Sequence, residues 1–159
     1  MFKLSTRSTY GLRACLALAQ QLDGPPMTTV SLSDENNIPR RYLEQILNAI
    51  RQSGLVESTR GPKGGYRLSR APGEITVADV VRAVEGDMPP ILCSMPELRS
   101  ANCRTHTGCA SRKLCFELEN SVMEVLGSTT LDDLRAEAER LCGGRESEGL
   151  LPLKLIEER

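Results

Sequence analysis

Four of the six cysteines fall between Cys93 and Cys115, in the order C-x9-C-x5-C-x5-C. The segment, CSMPELRSANCRTHTGCASRKLC, also holds His106, the single histidine of the chain. Thiolates are nucleophiles and ligands for soft metals and iron–sulfur clusters. Three or four of them on one loop can close round a cluster, bind zinc, or react as bare thiols. The spacing alone does not choose, because the C-x2-C pairs of a zinc ribbon are absent. No Cys–His couple with an orienting acid is legible either, so the chain is read as a non-enzyme, with a cysteine-dependent enzyme as the remaining alternative. A loop that merely happens to contain cysteines is the bland alternative, and it would leave exposed thiols as a liability.

The elements around this loop decide what it could control. At 159 residues, 40% of them apolar, the chain can bury one core plus an added helix or tail. Aromatic residues make up 3% and Trp is absent, so that core must be aliphatic. No run reaches the roughly 18 apolar residues of a membrane span. The opening MFKLSTRSTYGLRACLALAQ has a short apolar run broken by Arg13, and reads as a buried first helix rather than a targeting peptide. A cytoplasmic, reducing setting is therefore expected, which favours metal or redox chemistry over structural disulfides. Charge is uneven. Residues 1–70 carry 10 basic and 5 acidic side chains, whereas residues 71–159 carry 10 and 16. A basic front half suits a nucleic-acid reader.

Ser5 or Thr6 can cap a first helix reaching about Leu22, with Gly11, Cys15, Leu18 and Leu22 on one face. Cys15 on that stripe is read as packing, and Cys142 as a plain thiol at a helix end. A short helix over 30–36 follows, with Val30 and Leu32 facing in, then a turn at Asn36-Asn37-Ile38. Pro39 suits the first position of a third helix, which runs to about Ser53. Leu43, Ile46, Leu47 and Ile50 make its buried face, leaving Arg40, Arg41, Glu44, Asn48 and Arg51 outward. Gly54 is placed to end it. Residues 55–60 and 66–68 alternate as strands around the tip Gly61-Pro62-Lys63-Gly64-Gly65.

Helix, turn, helix and basic hairpin is the winged helix-turn-helix order, and the expected fold is mainly α with a small β-wing. The third helix would enter the major groove of double-stranded DNA, where Arg reads guanine and Glu accepts from cytosine N4. The wing would bring Arg60 and Lys63 to the backbone or minor groove, and glycines at its tip would allow close approach.

The run NNIPRRYLEQILNAIRQSGLVESTRGPKGGYRLSR resembles the DNA-binding core of the Rrf-two family of bacterial transcription regulators, which includes the iron–sulfur cluster regulator and the nitric-oxide-sensitive repressor. The resemblance continues through ITVADVVRAVEGD and SVMEVLGSTTLDDL and covers about residues 2–135. It implies a homodimer on a pseudo-palindromic operator, with base-reading positions at Arg41 and Glu44 and with Arg60 in the minor groove. Tyr42, Gln45, Lys63 and Tyr66 match positions near the phosphates. Arg40 and Gly64 complete the expected DNA-binding set.

The family's cluster-binding members carry three cysteines in the loop, matching Cys93, Cys103 and Cys109 here. The implied cofactor is an iron–sulfur cluster, 2Fe-2S or 4Fe-4S, with zinc or bare thiols as the alternative. The first interval is x9 here against x5 in the best-known members. One branch uses a histidine where this chain has Arg112; another uses an acid where it has Thr9. Cys115 and then His106 are the local candidates for a fourth ligand.

Beyond the wing, Thr76 can cap a helix over 75–85 with Val77, Val80, Val81 and Val84 inward. A helix from about Ser111 to Leu126 carries the stripe Leu114 or Cys115, Leu118, Val122 and Val125, close to a heptad pattern; it could equally pack on the chain's own core, and the family resemblance favours a two-fold dimer contact. Leu131 to Cys142 forms the last helix. The resulting map places the winged domain at 1–85, the cysteine loop at 86–110, the dimerisation and C-terminal helices at 111–142 and a polar tail at 143–159.

Overall fold

The structure is a computed structural model and describes residues 4–61, 64–86 and 110–143. Helix α1 spans Thr6–Gln20, and its first turn is capped by Ser5, whose side chain accepts the Ser8 N–H at 3.0 Å. Gly11, Ala14, Cys15, Ala17, Leu18 and Ala19 are buried, so α1 is the central rod of the core. At Gly11 a Cβ would sit 3.0 Å from Val84 Cγ1, and this is the close approach that lets α1 lie against α4 (Val77–Glu85). Leu22 departs from expectation: the helix ends at Gln20, and Leu22 is 50% exposed.

Helix α2, Thr29–Asn36, is capped by Thr28, whose Oγ1 accepts the Ser31 N–H at 3.1 Å. Leu32 is fully buried, but Val30 is 45% exposed and not inward as expected. The reason is geometric, because residues two apart on an α-helix point about 200° apart. Asn37 then turns the chain with φ 50°, in the left-handed region that Asn tolerates.

Helix α3, Arg40–Gln52, starts one residue later than expected, with Pro39 at the N-cap. Leu43, Ile46, Leu47 and Ile50 are each fully buried. The helix closes in a Schellman motif. The Leu55 N–H donates to Ile50 O at 3.2 Å and the Gly54 N–H to Arg51 O at 3.0 Å, with Gly54 at φ 77°.

Strands β1 (Val56–Thr59) and β2 (Gly65–Leu68) form an antiparallel hairpin in the register Val56↔Leu68 to Thr59↔Gly65. Val56 and Leu68 face the core. The hairpin is held to the body by a two-bond bridge: Tyr66 N–H donates to Met27 O at 2.8 Å and Met27 N–H to Tyr66 O at 2.9 Å.

A single 3-10 turn at Pro72–Glu74 leads to α4. Thr76 and Asp79 make a reciprocal capping box at its start. Its valines bury their faces as expected. Helix α5 spans Ala110–Ser128 and packs on α4; α6 spans Leu131–Gly143 and packs on α1. Leu131 is fully buried in the shared core, and its N–H donates to Ile75 O at 2.9 Å. Thus α6 is seated by backbone as well as by packing. Among the described residues no helix is long and apolar enough to cross a membrane.

Candidate nucleic-acid interface

Burial of one face of α3 dictates what the other face shows. With Leu43, Ile46, Leu47 and Ile50 committed inward, Arg40, Arg41, Glu44, Gln45, Asn48 and Arg51 are all exposed. This brings five of the expected DNA-facing positions onto one helix: Arg40, Arg41, Glu44, Gln45 and, half-buried beside them, Tyr42. The Tyr42 ring meets Tyr10 of α1 edge-on, with centroids 5.8 Å apart and planes at 78°. Such a T-shaped pair fixes the start of α3 against the rod of the core.

The side chains at this end are not equivalent. Arg40 Nε lies 3.4 Å from Glu44 Oε1, one turn along the helix. Arg41 has no ion pair or side-chain hydrogen bond among the described residues. Farther along, the Arg51 guanidinium donates to Asn48 Oδ1 at 3.0 Å.

The wing supplies the second part of the surface. Arg60 is exposed just past β1, and Tyr66 is half-buried on β2. Glu57 and Arg67 stand opposite each other and form an exposed cross-strand ion pair. Lys63 lies outside the described residues. The glycines prove to have an internal task. A Cβ at Gly64 would lie 2.1 Å from Thr59 O, and one at Gly65 would lie 2.5 Å from Met27 O. Gly61 has φ 117°. The tip is glycine-rich because the hairpin closes on itself and on the Met27 backbone, quite apart from any approach to DNA.

A further cluster lies where α4 ends, immediately before the cysteine segment. The Glu85 carboxylate accepts from Ser5 Oγ and, at 2.8 Å, from Ser8 Oγ of the buried Ser8. The Ser5 hydroxyl, and then Ser8 and Arg7, hold the Glu85 carboxyl below the usual carboxylate range. Sequence reasoning missed this link, since residues 77 apart give no local signal.

The expected ligands Cys93, Cys103 and Cys109, and the candidate His106, lie outside the described residues, as does the side chain of Cys115 in α5. Among the described residues no group of three or more Cys, His, Asp or Glu side chains is placed to hold a metal. The two cysteines whose side chains are described are both free thiols. Cys15 is fully buried and its pKa is pushed up to about 12 by that burial, as befits packing; Cys142 is exposed.

A recognition helix with a polar, cation-bearing face, a supporting helix before it and a β-hairpin after it define a winged helix-turn-helix DNA-binding regulator. The chain belongs to the Rrf2 family, whose description is iron-dependent transcriptional regulator and whose model matches residues 4–137. It is similar to the HTH-type transcriptional regulator CymR of Bacillus subtilis (strain 168), with 37% identity over 132 residues, 83% of this chain and 88% of that protein. Among solved structures it resembles CymR, the global cysteine regulator of B. subtilis, with a TM-score of 0.72 and 36% identity over 86% of this chain and 98% of the other. IscR from T. potens matches with a TM-score of 0.73 and 32% identity, covering 88% and 90%.

Proposed function

We propose that this regulator is a homodimer that reads a pseudo-palindromic operator and changes its DNA affinity with the state of an iron–sulfur cluster held by Cys93, Cys103 and Cys109. The observation that carries the DNA half is the exposed face of α3, where Arg41 stands without an internal partner beside Glu44. In that reading Arg41 and Glu44 read base edges. Tyr42, Gln45, Lys63, Gly64 and Tyr66 line the backbone, and Arg60 reaches the minor groove. A dimer is supported by α5, whose Leu114, Leu118 and Val125 share one face and are all more than half exposed in one chain. So large an apolar surface on a single helix suits a two-fold contact.

The cluster is supported by the chemistry of the donor set, three thiolates between α4 and α5, and by the iron dependence in the family description. Bound there, it would supply an electron- and ligand-sensitive centre, with Cys115 or His106 as the fourth ligand. The chain's own part is to join the loop to the reader. The loop leaves α4 directly after Glu85, which grips the first turn of α1, and α1 in turn carries the Tyr10 contact to α3.

Cysteine-thiol sensing is the second reading, favoured by the cysteine regulator among the similar structures. Anaerobic purification with iron, acid-labile sulfide and zinc analysis separates them. Brown protein with iron and sulfide, lost in Cys93→Ser, Cys103→Ser and Cys109→Ser, is expected. Colourless protein with stoichiometric zinc, or with no metal and titratable thiols, would refute the cluster.

A further inference from the structure

The first turn of α3 is built against its own helix. A helix N-terminus carries partial positive charge, so cations there are disfavoured and acids favoured. Helices α1, α2 and α4 are capped by the side chains of Ser5, Thr28 and Thr76, and α4 adds Asp79. Helix α3 has no side-chain cap, no acid in its first turn, and Arg40 and Arg41 as its first two residues. The Arg40–Glu44 pair does not redeem this. It runs cation-first along the helix, the weaker orientation, and both partners are more than half exposed, where an ion pair contributes little.

What the pair does supply is a counter-charge beside Glu44, one turn along the helix. A carboxylate entering the DNA groove faces phosphate repulsion and can be tolerated only if it meets a donor and carries a counter-charge. Arg40 Nε lies 3.4 Å from Glu44 Oε1, and no hydrogen bond among the described residues occupies the Glu44 carboxylate, so it is free to accept one. Cytosine N4 is the base donor that such a carboxylate accepts from.

We propose that Arg40 is a positioning residue for base discrimination, pairing with and neutralising Glu44 so that its carboxylate accepts from a cytosine amino group. Arg41, with no such tie, takes the direct DNA contact. This inference rests on the reading that α3 enters the major groove.

The test uses the full chain and a library of randomised DNA duplexes, with sequencing of the bound fraction. Wild type, Arg40→Ala, Arg40→Lys, Glu44→Ala and the Arg40→Ala/Glu44→Ala double variant are compared. Wild type is expected to select cytosine at one position in each half-site, and Glu44→Ala to lose that preference. Arg40→Ala should cut the preference by about fivefold or more. Arg40→Lys keeps the charge but not the guanidinium fork, so it should recover only part. In the Glu44→Ala background, Arg40→Ala should change overall affinity and salt dependence but no base preference. A full cytosine preference in Arg40→Ala, with only weaker binding, would overturn the proposal and leave Arg40 a phosphate contact. If no base preference depends on Glu44 in the wild type, the groove reading of Glu44 fails, and the positioning role with it.

Discussion

Gly65→Ala isolates the wing from the rest of the fold. The added Cβ would stand 2.5 Å from Met27 O, 2.7 Å from Met27 C and 3.0 Å from Pro26 C. All three are backbone atoms, so no side chain can rotate away. Relieving the oxygen contact requires the Met27 segment to retreat by about 0.7 Å. The Tyr66 N–H to Met27 O bond, now 2.8 Å, would then stretch to the limit of a hydrogen bond, and its partner bond would follow. Two bonds at about 1 kcal/mol each, within the usual overpacking range, give a loss of about 1–3 kcal/mol. Met27 is buried in the core and β2 packs on α1, but the bridge takes no part in the helices' own hydrogen bonds. Circular dichroism should therefore show native helix content with a lower denaturation midpoint. Anisotropy of a labelled operator duplex should show DNA affinity down by about tenfold, because the wing that carries Arg60 is displaced. Unchanged stability together with unchanged DNA affinity would refute the steric argument.

Arg41→Ala should relax selectivity at one base pair by about 1–3 kcal/mol, whereas Lys63→Ala should weaken binding to all sequences and flatten its salt dependence; titrations on specific and random duplexes at several salt concentrations distinguish the two. The Glu85 carboxyl lies below its ordinary pKa chiefly because of the Ser5 hydroxyl. Its contribution should therefore be full above the ordinary carboxylate pKa and be lost as pH falls through the folded-state value. Thermal midpoints of wild type and Glu85→Gln should accordingly differ near neutral pH and converge in acid; a gap that widens in acid would contradict this. With the Cys15 thiol buried and pushed up to about 12, and Cys142 exposed, iodoacetamide at mildly alkaline pH should label Cys142 in the native protein and Cys15 only after unfolding, as read by peptide mass spectrometry.

Periodicity made much of this fold legible. The four apolar residues of α3 repeat at helical spacing and are all buried, so its outward Arg and Glu residues could be named from sequence. Thr76, Asn37 and Gly54 announced their cap and turns by residue type. Val30 and Leu22 were misplaced because hydrophobicity alone does not say which way a residue near a helix end points; the helix boundaries at Thr29 and Gln20 decide it. The internal task of Gly64 and Gly65 was illegible because it depends on Thr59 and Met27 backbone oxygens brought close only in the folded chain. The Ser8–Glu85 bond and the Tyr10–Tyr42 contact are tertiary in the same way. The cysteine spacing, by contrast, names thiolates as the reactive groups but chooses no occupant, since thiolates serve several metals and also react unmetallated.

If the thiol loop controls the DNA reader, the operator affinity of the dimer must follow its iron content. Anaerobically purified protein is titrated with the operator duplex recovered by selection, first as isolated and then after complete removal of iron by chelation, with dimerisation checked by sedimentation in each state. The coupling between loop and reader predicts that the two dissociation constants differ by about 5–150-fold, the usual range for linked sites, and that Cys103→Ser shows the iron-free value under both conditions. Identical DNA affinity before and after iron removal, with the dimer intact in both, would contradict the account.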